Sequence, residues 1–194
     1  MQIDKHEYLE LKILNCVEKT PRLTTRLIAA RVGCNIRLTH ALLKKLISKG
    51  TLDVKKINSR NWHYYLTPSG ISEKAEKTCK FFNFSMHYYQ EARERSSEIC
   101  SILQSEGKKE IGFFGCGNLA EIVYLSLIEN NLQLSEVYGD SKKIFMGCEV
   151  QPWKNVVEFT SEALIICLMD MRSPMLEFVD NLKYKNHKRI ISVF

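Results

Sequence analysis

Residues 115–120, Gly115-Cys116-Gly117-Asn118-Leu119-Ala120, lie between an apolar run (EIGFF) and a helical one (NLAEIVYLSLIENN). They fit the pattern G-x-G-x-x-[G/A]. In that pattern the first glycine permits a sharp turn, the second removes a side chain that would block a phosphate, and the small sixth residue lets helix and strand approach. Exposed amides at the helix start would meet the anion, which makes Gly115, Gly117, Asn118 and Leu119 candidate ligand residues. Asp140 follows 25 residues after Gly115, at the end of VYGD, where an acid binds ribose hydroxyls in such folds. A third strand ends at MDMRSP, so Arg172 is expected at the same edge, with Ser173 capping a helix that has Pro174 at its first position. The alternative is a fold kept for architecture, with glycines that serve the turn alone. Cys116 is either a thiol activated by the helix start or a residue placed there for its small size.

Catalysis is not indicated. Asp140, Asp170, Arg172 and Cys116 form no acid/base or nucleophile–base set, and His187 is the only histidine after residue 107. The seven cysteines include no CxxC pair and no Cys/His pairing, which argues against a disulfide framework and a metal site. No cofactor is required on this reading. A nucleotide-sugar or NAD(H) is expected as an effector.

A second group of residues suits a different polyanion. Residues 1–68 hold thirteen Lys and Arg against five Asp and Glu, a surplus of eight, whereas 69–107 and 108–194 each carry one net negative charge. The whole positive excess therefore sits where DNA would be met. Within it, Asn35, Arg37, Thr39, His40 and Lys44 fall on the polar face of an expected helix. Asn and Arg can make bidentate contacts to base edges, and Thr can touch a thymine methyl. Lys44, Lys45, Lys55, Lys56 and Arg60 suit phosphates, which give affinity without sequence information. The plainer alternative is a solvated basic face on a helical protein–protein module.

The elements that must position these groups follow from periodicity. Tyr8, Leu11, Leu14 and Val17 repeat along one face of a helix over Lys5–Lys19, which Thr20-Pro21 ends. Thr24 or Thr25 caps a second helix, Arg26–Val32, and Gly33 supplies the turn. Asn35 caps a third helix with Leu38, Ala41 or Leu42, Leu46 and Ile47 inward, ending at Gly50. LDVKK and NWHYYL then form a hairpin with a basic tip, completing a winged helix-turn-helix over residues 1–70.

Residues 71–106 form one long helix without proline or internal glycine. Ile71, Ala75, Thr78, Phe82, Ser85, Tyr89, Ala92, Ser96, Ile99 and Leu103 step by four and three, an imperfect heptad seam suited to a homodimer. Alternatively, its aromatics pack onto the chain's own winged helix. Residues 107–194 alternate strand and helix signals, which implies a small Rossmann-like parallel sheet. At 88 residues it is expected to be nearer half a dinucleotide fold than a whole one. Apolar runs are too short to span a membrane, and MQIDKHEYLE lacks the order of a signal peptide, so a cytoplasmic location is expected.

The stretch HYYLTPSGISEKAEKTCKFFNFSMHYYQE resembles the wing and long helix of MarR-type regulators associated with exopolysaccharide loci. The LTP-x-G-I-x-EKA portion carries the likeness, which covers the chain through about Arg95. Phe-Asn-Phe-Ser-Met-His stands where that family has a basic run. The resemblance implies sequence-specific double-stranded DNA binding by a homodimer. From Gly115 onward the chain resembles the N-terminal sheet domain of PglD-type sugar N-acyltransferases, with Gly147-Cys148-Glu149-Val150 matching their G-x-x-V loop. The histidine of their G-x-G-G-H turn is absent here, as is their acyltransferase repeat. That likeness implies a nucleotide-sugar ligand. The combined expectation is a non-enzymatic regulator: α+β winged helix-turn-helix, long linker helix, then an α/β sheet that senses a nucleotide. Two other readings stay open: a sheet that serves only oligomerisation or partner recruitment, and an NAD(H)-responsive redox repressor.

Overall fold

The computed structural model describes residues 4–20, 23–56, 62–140, 144–169, 175, 177–178 and 189–194, which divide into two compact units, Met1–His87 and Tyr88–Phe194. In the first unit α1 (Lys5–Lys19), α2 (Thr25–Val32) and α3 (Ile36–Ser48) precede an antiparallel hairpin of β1 (Leu52–Lys56) and β2 (Trp62–Leu66). Each helix starts on a side chain that accepts a backbone hydrogen: Asp4 from His6, Thr24 from Leu27 and Asn35 from Leu38. Gly33, at φ 76°, closes α2 in the left-handed region and lets α3 begin three residues later. Ile13, Leu14, Ile28, Leu43 and Leu46 meet Leu52 and Tyr64 of the hairpin in one core.

The LTPSG stretch joins hairpin to helix α4 (Pro68–Ser105) by a specific device. Thr67 Oγ1 donates to the Gly50 carbonyl at 2.6 Å and accepts from the Gly70 amide at 3.0 Å. A Cβ on Gly70 would fall 2.0 Å from the Thr51 carbonyl oxygen, so only glycine allows α4 to start this close to β1.

Beneath this joint lies a buried charge. Glu10 of α1 is 2% exposed and lies 2.7 Å from the Lys45 ammonium of α3 and 3.0 Å from that of Lys77 in α4. Lys77 also faces Glu7 and Glu73. Burial pushes the Glu10 carboxyl up, but the two ammonium groups outweigh it and hold the group below its ordinary value. Three helices are thereby pinned at one point.

The second unit holds the remainder of α4, then β3 (Glu110–Phe114), α5 (Asn118–Glu129), β4 (Gln133–Gly139), β5 (Ile144–Phe145), β6 (Cys148–Pro152), a 3-10 turn (Trp153–Glu158), β7 (Ala163–Ile166) and β8 (Arg189–Ser192). The strand order is β5-β6-β4-β3-β7-β8, parallel throughout except for the β5–β6 hairpin. One sheet face (Ile111, Phe113, Val137, Ala163, Ile165) packs on Ala92, Cys100 and Leu103 of α4 and on Leu119, Val123 and Leu127 of α5. The other face (Phe114, Tyr138, Leu164, Ile166) packs on Val156, Phe159 and Met175. This is a Rossmann-like α/β sheet, and it extends to both sides of β3. The half-fold expected from chain length is too small: β7 and β8 add the strands beyond the switch point. Brevity comes instead from the connections, since a 3-10 turn rather than a helix crosses from β6 to β7.

Two further departures concern α4 and β6. The heptad seam is split: Ala92, Ser96 and Leu103 are buried within the second unit, whereas Ile71 and Phe82 are 56% and 61% exposed. The G-x-x-V stretch leads from a turn at Gly147 into β6, whose Val150 fills a core position on the sheet.

Replacing Glu10 with Gln is expected to destabilise the first unit by on the order of 2 kcal/mol in urea melts, since it removes the nearest counter-charge of the largely buried Lys77 and leaves the more distant Glu7 and Glu73. Its folded pKa is depressed, so the Glu10 contribution is in place above 4.5 and is lost as pH falls through the folded value. The variant's stability should therefore fall less steeply than wild type on acidification below pH 4.5.

Candidate functional site

Helix α3 sorts its residues by face. Leu42, Leu43 and Leu46 are buried, while Ile36, Arg37, His40, Ala41 and Lys44 form an outward face, with Lys55 and Lys56 exposed on β1. Arg37, His40, Lys44, Lys55 and Lys56 thus stand where a polyanion reaches them. Asn35 is exposed, but its side-chain Oδ1 accepts from the Leu38 amide at 2.8 Å.

One expected contact is corrected and another only qualified. Thr39 is fully buried, and its hydroxyl donates to the Asn35 carbonyl at 3.0 Å, so it anchors the α3 start instead of facing a base. Lys45 is the qualified one: it pairs with the buried Glu10 at 2.7 Å while its side chain stays 52% exposed. Arg60 lies outside the described residues. Trp62 and Tyr64 were not among the expected contacts, although an aromatic pair two residues apart on a basic hairpin was the available signal. They flank a cleft of about 280 Å³ with His40, Leu43, Lys44 and Ile47.

In the second unit, the glycine turn lies at the carboxyl edge of the sheet beside the switch point between β3 and β7. The Gly115 amide donates to the Tyr138 carbonyl at 2.8 Å, and the Cys167 amide donates to the Phe114 carbonyl at 2.8 Å. Gly115 has φ 108°, and a Cβ there would fall 2.7 Å from the Cys167 carbonyl oxygen. Its role is therefore both conformational and steric. Gly117 differs: it is exposed, an added Cβ would meet nothing within 4 Å, and it starts α5 without a side-chain cap. Asn118 is exposed beside it, and exposed Asp140 follows the last residue of β4. Gly115, Gly117, Asn118 and Asp140 are thus brought to one edge.

Leu119 is corrected: its side chain is 1% exposed in the core, which leaves only its amide for an anion. Arg172 and Ser173 lie outside the described residues. Cys116 turns toward Gly139, where a Cβ would fall 2.9 Å from its sulfur. Gly139 is hence a steric requirement of the turn, one the sequence offered only as the glycine of VYGD.

A polar cleft of about 560 Å³ lies elsewhere, lined by Glu136, Tyr138, Gln151, Lys154, Asn155, Val157, Glu158 and Thr160. It includes none of the glycine-turn residues. Its floor is Glu136, which accepts from the Thr160 and Ser161 amides and from the Thr160 and Tyr138 hydroxyls. Burial pushes this carboxyl up, but those donors prevail and hold it below the ordinary range, while burial and the adjacent carboxylate push the Tyr138 phenol well up. Glu136 ties the loop before β7 to β4.

Gly115→Ala is expected to cost the second unit about 2 kcal/mol or more, from left-handed strain and the clash with Cys167. Gly117→Ala should cost under about 1 kcal/mol, since its surroundings are open. Paired thermal melts of the two variants check the contrast.

Comparison with known proteins places the first unit. Residues 7–52 match the family described as winged helix-turn-helix DNA-binding, about a quarter of the chain. No curated protein matches. Among solved structures, the PcaV transcriptional regulator from Streptomyces coelicolor is 20% identical at TM-score 0.39, over 41% of this chain and 60% of that one. MepR, a transcription regulator of the Staphylococcus aureus multidrug efflux pump MepA, is 20% identical at TM-score 0.39, over 54% and 80%. Human N-acetylserotonin methyltransferase in complex with SAM is 12% identical at TM-score 0.33, over 84% and 66%. The chain spans 60% of the length of the first of these, and at such scores the likenesses carry nothing about function. Capped α1–α3 and the hairpin give the first unit a winged helix-turn-helix fold, in agreement with the family match over residues 7–52.

Proposed function

We propose that the protein is a MarR-type transcriptional regulator that binds double-stranded DNA as a homodimer and responds to a nucleotide-type effector, a nucleotide-sugar before NAD(H). The observation that carries the DNA half is the outward face of α3, where Arg37, His40 and Lys44 are all exposed within a segment holding the chain's whole positive surplus. The resemblance in LTPSGISEKA supports the MarR assignment and, through it, control of surface-polysaccharide genes. The effector half is supported by the open Gly117 at the start of α5, with Asp140 at the neighbouring strand end. An effector held there acts on DNA affinity by favouring one arrangement of the paired winged helices.

Dimerisation uses the part of the seam that the first unit leaves outside: Ile71, Ala75, Thr78 and Phe82 are exposed along α4. Residues 92–103 of the expected seam are committed to the second unit's own core and take no part. Phe82→Glu is expected to convert a dimer to a monomer in native mass spectrometry, and a dimeric Phe82→Glu protein would refute this seam.

Titrating UDP-sugars, NADH and NAD against the full chain is expected to raise the melting temperature, with a UDP-sugar the most effective. Gly117→Val should abolish the shift while leaving the unliganded fold intact. The absence of a shift with every nucleotide would retire the effector, leaving a sheet used for oligomerisation or partner recruitment. A preferential response to NADH would instead select the redox repressor.

A further inference from the structure

The hairpin of the first unit has three rungs on the face turned toward α3: Leu52 with Leu66, Val54 with Tyr64, and Lys56 with Trp62. The first two rungs belong to the core. The third repeats the inward position but not the burial: Trp62 is 44% exposed, and its partner's ammonium stands 5.9 Å over the indole. Between this rung and α3 opens the cleft of about 280 Å³. Leu43, Ile47, Trp62 and Tyr64 give it apolar walls, and Lys44 and His40 bring polar groups to it from α3. Tyr64 and Thr25 hydroxyls engage each other at 2.9 Å, so that hydrogen bond holds β2 to α2.

An apolar wall with Lys44 lining the same cleft and Lys56 over its Trp62 ring, in a segment with eight surplus positive charges, matches one feature of a duplex. The backbone of DNA alternates an apolar deoxyribose with anionic phosphates on either side. The geometry points to a deoxyribose of duplex DNA seated against Trp62, with Lys44 and Lys56 on the flanking phosphates. Trp62 is then an affinity residue of a kind distinct from its basic neighbours. This inference rests on the DNA-binding reading of α3 and goes beyond it by naming a non-ionic backbone contact.

Salt separates the two kinds of contact. A lysine on a phosphate releases counterions, so its loss flattens the plot of log affinity against log salt by about 0.9. An apolar contact releases none and lowers affinity equally at all salt concentrations. Binding of the full chain to a mixed-sequence duplex is measured across a salt series. Trp62→Ala is expected to weaken binding about tenfold with the slope unchanged, whereas Lys44→Ala flattens the slope. Trp62→Phe should retain most of the affinity, and thermal melts verify that each variant is folded. In a Trp153→Phe background Trp62 is the sole tryptophan, and its emission should change on adding the duplex. Binding by Trp62→Ala within twofold of wild type overturns the contact while the DNA-binding reading stands. Emission that does not change on adding the duplex overturns it as well. Failure of the wild-type chain to bind any duplex removes the reading on which the contact rests.

Discussion

A carboxylate enclosed by two ammonium groups limits what the first unit can offer to DNA. Glu10 is nearly inaccessible, and an isolated charge in that position would be costly, so Lys45 and Lys77 must come to it from α3 and α4. The rotation of α3 about its axis follows from this. With Lys45 turned toward α1 and the leucines inward, Arg37, His40 and Lys44 are left on the outside. The second unit contains a buried carboxylate solved differently. Glu136 is satisfied by amides and hydroxyls of Thr160, Ser161 and Tyr138, not by counter-charges. One glutamate organises helices through charge, and the other fixes a loop to a sheet through hydrogen bonds.

Glycines perform separate tasks in the sheet unit. Gly115 is where it is because the chain leaving β7 at Cys167 passes too close for any side chain, and Gly139 because Cys116 occupies the space beside it. Gly117 has neither constraint, which makes it the position in the turn free to be shaped by what approaches from solvent. A fold kept only for architecture needs the first two. The nucleotide reading draws its weight from the third.

Much of the architecture was legible as periodicity and punctuation. The bounds of α1, the Asn35 cap, a threonine cap at 24 or 25 that the structure resolves to Thr24, the Gly33 turn and the strand–glycine–helix order of β3 and α5 all follow local rules that act within a few residues. Less legible was the allocation of amphipathic side chains. A threonine and a lysine on a helix look like base and phosphate contacts until the burial of Thr39 and the pairing of Lys45 are known. The α4 seam misled for a related reason: a four-three rhythm specifies a face but not its partner, and the chain's own sheet takes the later portion. Strand β6 escaped notice because Cys148–Pro152 offers just one core residue, Val150, to a pattern search.

By itself, the sequence determined the element types, the sidedness of charge along the chain and the chemistry available at each turn, because these depend on neighbours within a few residues. Tertiary structure decided which charges are free. Ion pairing and burial join residues far apart in the chain, such as Glu10 with Lys77 or Cys116 with Gly139, and no local pattern encodes that distance.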